Sequence, residues 1–353
     1  MRKRIKKYKT ERGDRIMKKA LHLFLVTLTA VALAGCGEKI EGPQPGCTGA
    51  EDEICIAFLP NESDSAGIQD RFLAFATEIE IALDGEFDIR YNVVDDYAAT
   101  IAAMVSGAAD ISWGSPNSYT IANRESNGVV QPIVTFATDG DIEQSGYKAF
   151  IGTHKDNAGD FADIDNNASL TEEEKAIERI KLLEGKSFSF VSPTSTSGRK
   201  VPTASLYSIF GEVNGGYIEE KEDIHTKLIG EGGVFSEIKF GGNHQANVEN
   251  IYDKVAYAGA WCCEFVNHAG YEMDEFYILS VTIVPESPIW VNTDNVSQEN
   301  IDKIADHFVS LTPETATFGL YHNEAEGFDQ GLLKEDERWV KIEDSYYDFV
   351  RTM

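Results

Sequence analysis

The sequence is short of several things that would place it quickly. It carries 31 basic residues against 59 acidic ones, a formal net charge of −28. Nucleic-acid binding, which needs clustered Lys and Arg, is excluded. Its apolar runs are short. The longest, residues 20–34, spans 15 residues, below the ~20 needed to cross a bilayer as a helix. The five cysteines form no C-x-x-C pair, which removes thiolate zinc sites. No G-x-S-x-G elbow accompanies a serine, and the seven histidines contain no H-x-x-x-H pair. The usual signatures of serine and zinc hydrolases are therefore missing.

The N-terminus has the pattern of an export signal. Met17-Lys18-Lys19 opens the short apolar run, which ends in Leu33-Ala34-Gly35-Cys36. A basic start, a brief apolar stretch and small residues before a cleavage point direct export. A cysteine right after the small pair resembles the lipid-accepting cysteine of lipoproteins. We expect residues 1–35 to be a signal peptide with an upstream extension, Met17 its start, and Cys36 the lipidated first residue. The expected location is the outer face of the cell membrane, attached through the lipid anchor only. Residues 1–35 hold 10 basic and 2 acidic residues, leaving 21 and 57 from Cys36 onward, a charge of −36. Such a charge keeps a protein soluble in salty surroundings. It also means that an anionic ligand must be held by local groups against the overall field. Residues 36–52 read as a tether, and Cys47 in it could close a small disulfide loop with Cys55 just beyond it, outside the cell. Cys262 and Cys263 read either as two buried thiols or as a strained vicinal disulfide.

From residue 54 onward, strand-like and helix-like segments alternate. Strands are expected near 54–59, 87–94, 109–113, 130–137 and 148–153, then near 187–191, 237–240, 255–260 and 277–284. Helical spacing falls between them, and residues 297–311 place Ile301, Ile304, Phe308 and Leu311 on one stripe. This rhythm predicts an α/β protein with mainly parallel sheets covered by helices. Two lobes are expected, residues 53–153 with 283–353 and residues 154–282, joined by two crossovers that permit hinge closure.

The chemistry concentrates where strands give way to helices. Ser192-Pro193-Thr194-Ser195-Thr196-Ser197-Gly198 follows one strand and opens one helix. Hydroxyls and a helix N-terminus there make an oxyanion cradle without Lys or Arg. On its own the stretch also reads as an ordinary capped helix start. A second junction, Gly241-Gly242-Asn243-His244, places a histidine at a helix start. In the first lobe, Asp95-Asp96-Tyr97 and Trp113-Gly114-Ser115-Pro116-Asn117-Ser118-Tyr119 form two more. Donor-bearing loops at strand ends are where open α/β sheets bind ligands.

Four stretches taken together carry a resemblance: Ala-Phe-Leu-Pro at 57–60, D-Y-A-A-T-I-A-A-M-V-S-G-A-A-D-I-S-W-G-S-P-N-S-Y at 96–119, S-P-T-S-T-S-G-R-K-V-P at 192–202 and G-G-N-H-Q-A-N at 241–247. With them the chain, from about residue 54 to 311, resembles the phosphate/phosphite/phosphonate-binding components of ABC transporters, members of the periplasmic-binding-protein superfamily. The resemblance implies a two-lobed type II fold, a small oxyanion ligand in the cleft, permease and ATPase partner subunits, and no catalysis. It implies ligand contacts from Tyr97, Asn117, Ser118 and Tyr119 in one lobe and from Thr194, Ser195, Thr196, Ser197 and His244 in the other. Aminophosphonate binders of this family hold the ligand's ammonium with acids. Here Trp261-Cys262-Cys263-Glu264 fills one such place, with Glu264 the nearest candidate. The other has Ser287 before Pro288, with Glu286 one residue earlier. An amino-bearing ligand is therefore no better supported than phosphate, phosphite or a simple phosphonate. A monomer that requires no cofactor is expected. The alternative class is a secreted hydrolase or adhesion lipoprotein on the same scaffold.

An acidic insertion, residues 155–174, holds a second pattern. Asp163, Asp165, Asn167, Ser169, Thr171 and Glu174 match positions 1, 3, 5, 7, 9 and 12 of a calcium loop, although Ala168 stands where glycine is normal. The same residues read as a solvated loop before a helix capped by Thr171. A structural calcium ion is one of the two expectations.

Overall fold

Buried runs such as Ile54-Cys55-Ile56-Ala57-Phe58 leave no polar face and become interior strands. The structure, a computed structural model, describes residues 42–59, 68–94, 96–143, 145–262, 265–321 and 332–353. The expectations for residues 1–41, including Cys36, and for Cys263 and Glu264 lie outside them. The principal elements are β1 (Gln44–Pro45), β2 (Glu53–Phe58), α1 (Ile68–Ala82), β3 (Asp88–Val93), α2 (Tyr97–Ser106), β4 (Ile111–Trp113), α3 (Pro116–Glu125) and β5 (Val130–Thr138). There follow β6 (Tyr147–His154), α4 (Glu172–Lys181), β7 (Ser187–Phe190), α5 (Val201–Phe210), β8 (Glu237–Phe240), α6 (His244–Tyr252), β9 (Ala258–Cys262) and β10 (Phe276–Val284). The chain ends with β11 (Ile289–Asn292), α7 (Gln298–Ser310), β12 (Glu337–Lys341) and α8 (Asp348–Thr352).

Two sheets result. The first has the order β1-β3-β2-β4-β11-β5-β12, with β1 to β4 parallel and β11 antiparallel to both its neighbours. The second has the order β10-β6-β9-β7-β8, with β7 parallel to β8 and β9. α1 and α7 cover one face of the first sheet around Phe58, Phe75 and Phe308, and α2 and α3 cover the other around Met104, Tyr119 and Trp290. The second sheet closes its own core around Phe188, Phe190 and Phe235.

Three boundaries differ from the sequence reading. β6 was expected in the first lobe, but it pairs with β9 and β10 in the second sheet. The chain therefore leaves the first lobe before residue 147, not near 153, and returns after 284, within one residue of the expected 283. A strand carries no mark of which sheet it will join, because its partners here arrive about a hundred residues later. The supposed tether is partly structural. Gln44–Pro45 pairs with β3, and Cys47 is disulfide-bonded to Cys55 in β2. Finally, β12 adds an edge strand beside β5 that the reading lacked.

Candidate functional site

Helix starts from both lobes meet at one point. In the second lobe, β7 runs out into Val191 and Ser192, and Ser195 caps the following turn by accepting from Gly198 N at 3.1 Å. That turn, residues Thr196–Lys200, is wound as one π-type turn before α5 begins. It folds back on the strand end, where Val191 N donates to Gly198 O at 3.0 Å. The second junction is stitched to the first: Gly241 N donates to Phe190 O and Gly242 N to Val191 O, at 2.9 and 2.8 Å. Asn247, fully buried on α6, locks the arrangement by donating to the carbonyls of Ser189 and Ala260 at 3.1 and 2.6 Å.

In the first lobe, β4 ends at Trp113, and Ser115 caps α3 with Pro116 at its first position. The start of α3 meets the other lobe directly. Asn117 N donates to Thr196 Oγ1 at 2.9 Å, Ser115 Oγ lies 2.7 Å from the same atom, and Asn117 Nδ2 donates to Thr194 O at 2.8 Å. Asn117, Ser118, Ser195, Thr196, Ser197 and His244 are each at most 3% exposed, so this polar cluster is closed off from bulk solvent. Buried polar groups normally find partners. Yet Ser118 Oγ and Ser192 Oγ are buried without one. Two hydroxyls and two helix N-termini in a low-dielectric setting form a strong anion environment.

Not every expected residue converges. Tyr97 opens α2, capped by Asp96, and is buried. Tyr119 belongs to the first-lobe core instead of the cleft. Its ring packs edge-on against Trp290 and Tyr347, and its hydroxyl donates to Asp344, which also binds Arg351. Burial, then the Asp344 charge, raises the phenol well above its usual range. Two residues of the cluster, Ser115 and Ser192, were not singled out as contacts. The signal was available, since each precedes a proline at a strand end.

His244 stacks on Phe265 with ring centroids 4.8 Å apart, and its Nε2 lies 3.7 Å from Cys262 Sγ. Burial pushes its pKa from 6.5 down to about 3, so the ring is neutral at pH 7. The unfolded chain then takes up a proton between those values that the folded protein refuses. Stability is lost as pH falls from about 6.5 towards about 3. His244→Gln should remove about one proton from the uptake on unfolding between pH 7 and 5. Parallel denaturant titrations at the two pH values check this, and equal slopes for both proteins would contradict it.

The acidic insertion is organised as a helix cap. Thr171 Oγ1 accepts from Glu174 N at 3.2 Å, and Glu174 Oε2 accepts from Thr171 N at 2.8 Å, a complete capping box at the start of α4. Asp165 pairs with Arg179 at 2.7 Å and accepts from Tyr277 at 2.5 Å, while Asn167 accepts from Ser169 at 3.0 Å. Asp163 lies in a four-residue helix, 162–165. Among the described residues, Asp163, Asp165 and Glu174 are not gathered into one metal-binding group. Three of the expected ligands are instead committed to a cap, an ion pair and a turn.

Solved structures with a similar fold are known. PhnD1 of Prochlorococcus marinus (MIT 9301), in complex with methylphosphonate, superposes with a TM-score of 0.61 at 16% identity, covering 86% of this chain and 97% of that one. A binding-protein component of an ABC phosphonate transporter from Pseudomonas aeruginosa gives 0.57 at 16% identity, with 85% and 84% covered. A Xanthomonas citri protein bound to chloride gives 0.56 at 12% identity, with 85% and 95% covered. At these identities they establish the fold, that of periplasmic binding proteins. No curated protein sequence matches the chain. The family of ABC-transporter phosphonate periplasmic substrate-binding proteins does match, over residues 56–347. That span takes in the second sheet, the first sheet apart from β1 and the start of β2, and every junction described above. The chain therefore belongs to the ABC-transporter phosphonate periplasmic substrate-binding proteins, solute-binding components that work outside the cytoplasm and are not enzymes.

Proposed function

We propose that the protein captures a phosphonate, phosphite or phosphate oxyanion between its two lobes and hands it to a membrane permease, while held to the membrane by lipid on Cys36. The observation that carries the reading is the buried cluster around Thr196, where donors from both lobes converge and two buried hydroxyls, Ser118 and Ser192, make no bond of their own. A tetrahedral oxyanion has enough acceptor positions to satisfy donors arriving from opposite sides. The reading needs a monomer and no cofactor. Calorimetric titration with phosphate, phosphite, methylphosphonate and 2-aminoethylphosphonate tests it. One of them is expected to bind at micromolar strength or better, and failure of all four would sink the ligand class. Radiolabelled fatty acid should enter the wild type and not Cys36→Ser, and equal labelling would sink the anchor.

Ser118→Ala gives a sharper test, because two effects of opposite sign are expected. Removing a buried hydroxyl that bonds to nothing should leave stability unchanged or slightly raised. Losing a donor to a charged ligand should weaken affinity by about tenfold. A variant that binds methylphosphonate as well as the wild type would remove Ser118 from the site.

A further inference from the structure

A strongly acidic protein that binds anions must overcome its own field, and the turn that carries the cradle hydroxyls also carries two cations. Arg199 and Lys200 close the turn begun by Thr196 and Ser197. The Arg199 guanidinium donates from Nη2 towards His225 Nε2 at 2.8 Å, while its Nε is buried without a partner. Among the described residues it has no carboxylate ion pair, and Glu222 is the one acidic group whose charge reaches it. Its place is fixed by His225, whose ring stands edge-on to Phe190, the last residue of β7, at 6.1 Å. The charge is thus held at the strand end from which the cradle loop departs. Burial, then the Arg199 charge, pushes the His225 pKa down to about 4, so the imidazole acts as a neutral acceptor and offers no countercharge. Lys200 is half-buried, and the charges it feels are those of Arg199, Lys221 and Arg124, opposed by Glu222. Arg124, in the last turn of α3, is largely exposed and pairs with Glu125 at 3.6 Å, so the cationic bed itself is Arg199 and Lys200.

Burying a charge without a partner is costly. Glu222 alone opposes these cations, and a doubly charged anion in the cradle supplies the further countercharge. Resting on the function proposed above, we infer that Arg199, assisted by Lys200, reads the charge of the ligand, selecting dianionic phosphonate or phosphate over singly charged oxyanions of the same shape. Arg199 is a positioning and charge-reading residue behind the hydroxyls.

The test compares methylphosphonate, at a pH where it is a dianion, with methanesulfonate, which has a similar shape and one charge. Arg199→Gln should lower methylphosphonate affinity by about tenfold, and the preference over methanesulfonate by a similar factor. Arg199→Lys should keep the affinity within about threefold, because it keeps the charge. Lys200→Gln removes a cation that makes no hydrogen bond, so it tests the same idea without disturbing the fold. It should shift affinity about threefold in the same direction. If Gln and Lys at 199 behave alike, or if Lys200→Gln has no effect, the inference is overturned. A wild type that binds no oxyanion would instead overturn the function proposed above, and the two failures are told apart in one titration.

Discussion

Changing Ser195, Thr196 and Ser197 to alanine together should weaken methylphosphonate binding by about a thousandfold. Each hydrogen bond to a charged group contributes roughly 1.5–3 kcal/mol. Three such bonds do not add fully, because they share one ligand and one turn. About 4 kcal/mol in total is therefore the expected loss. The three hydroxyls do different things in the protein alone. Ser195 caps the turn through Gly198 N, and Thr196 accepts from Asn117 N across the cleft. Part of the loss is thus loss of cap and of lobe contact. Thr196→Val separates the two: it keeps the shape and the helix start but removes the cross-lobe acceptor. A triple variant that melts as a folded protein and still binds at wild-type strength would end the assignment of this turn as the cradle.

Gly198→Ala should destabilise the fold by about 3 kcal/mol, at the upper end for adding one methyl group to a packed interior. A Cβ at this position would lie 2.2 Å from Val191 Cγ2, 2.3 Å from Val191 Cβ and 2.9 Å from Ser195 Oγ. Val191 is fully buried, and rotating it about χ1 cannot relieve the contact with its own Cβ. The turn itself must move, and binding should fall with it. Gly230→Ala is the matching control, because its Cβ would meet nothing within 4 Å. Denaturant unfolding of both variants decides the matter. A Gly198→Ala protein within about 0.5 kcal/mol of the wild type would mean that the turn is looser than described.

Much of the architecture was legible because it is local. Apolar runs of four to six residues with turn residues between them become strands wherever they occur, and the Ser-Pro pairs at 115–116 and 192–193 mark two strand ends from sequence alone. What could not be read is whatever depends on partners far along the chain. Tyr119 lies in the stretch that carries the family likeness, and the sequence cannot reveal that Asp344, 225 residues later, takes its hydroxyl. Asp165 fits a calcium-loop position in the sequence, but its bonds with Arg179 and with Tyr277, 112 residues away, are not legible there. Arg199 is inconspicuous in the sequence for the opposite reason. An arginine after a glycine near a helix start looks like an ordinary surface residue, and only the fold buries it against His225.

The bond between Asn117 N and Thr196 Oγ1 gives the cleft a property that an open pocket lacks. The helix end that would greet an anion is already answered by the protein's own hydroxyl. Entry is then a substitution reaction, in which the newcomer replaces an internal acceptor of fair quality. Substitution sets a threshold that simple filling does not. An ion that accepts hydrogen bonds only weakly gains little by displacing the threonine, whereas one with concentrated negative charge gains much. A protein carrying so many acidic groups, in water rich in weakly coordinating salts, would gain discrimination from that threshold without any added contact.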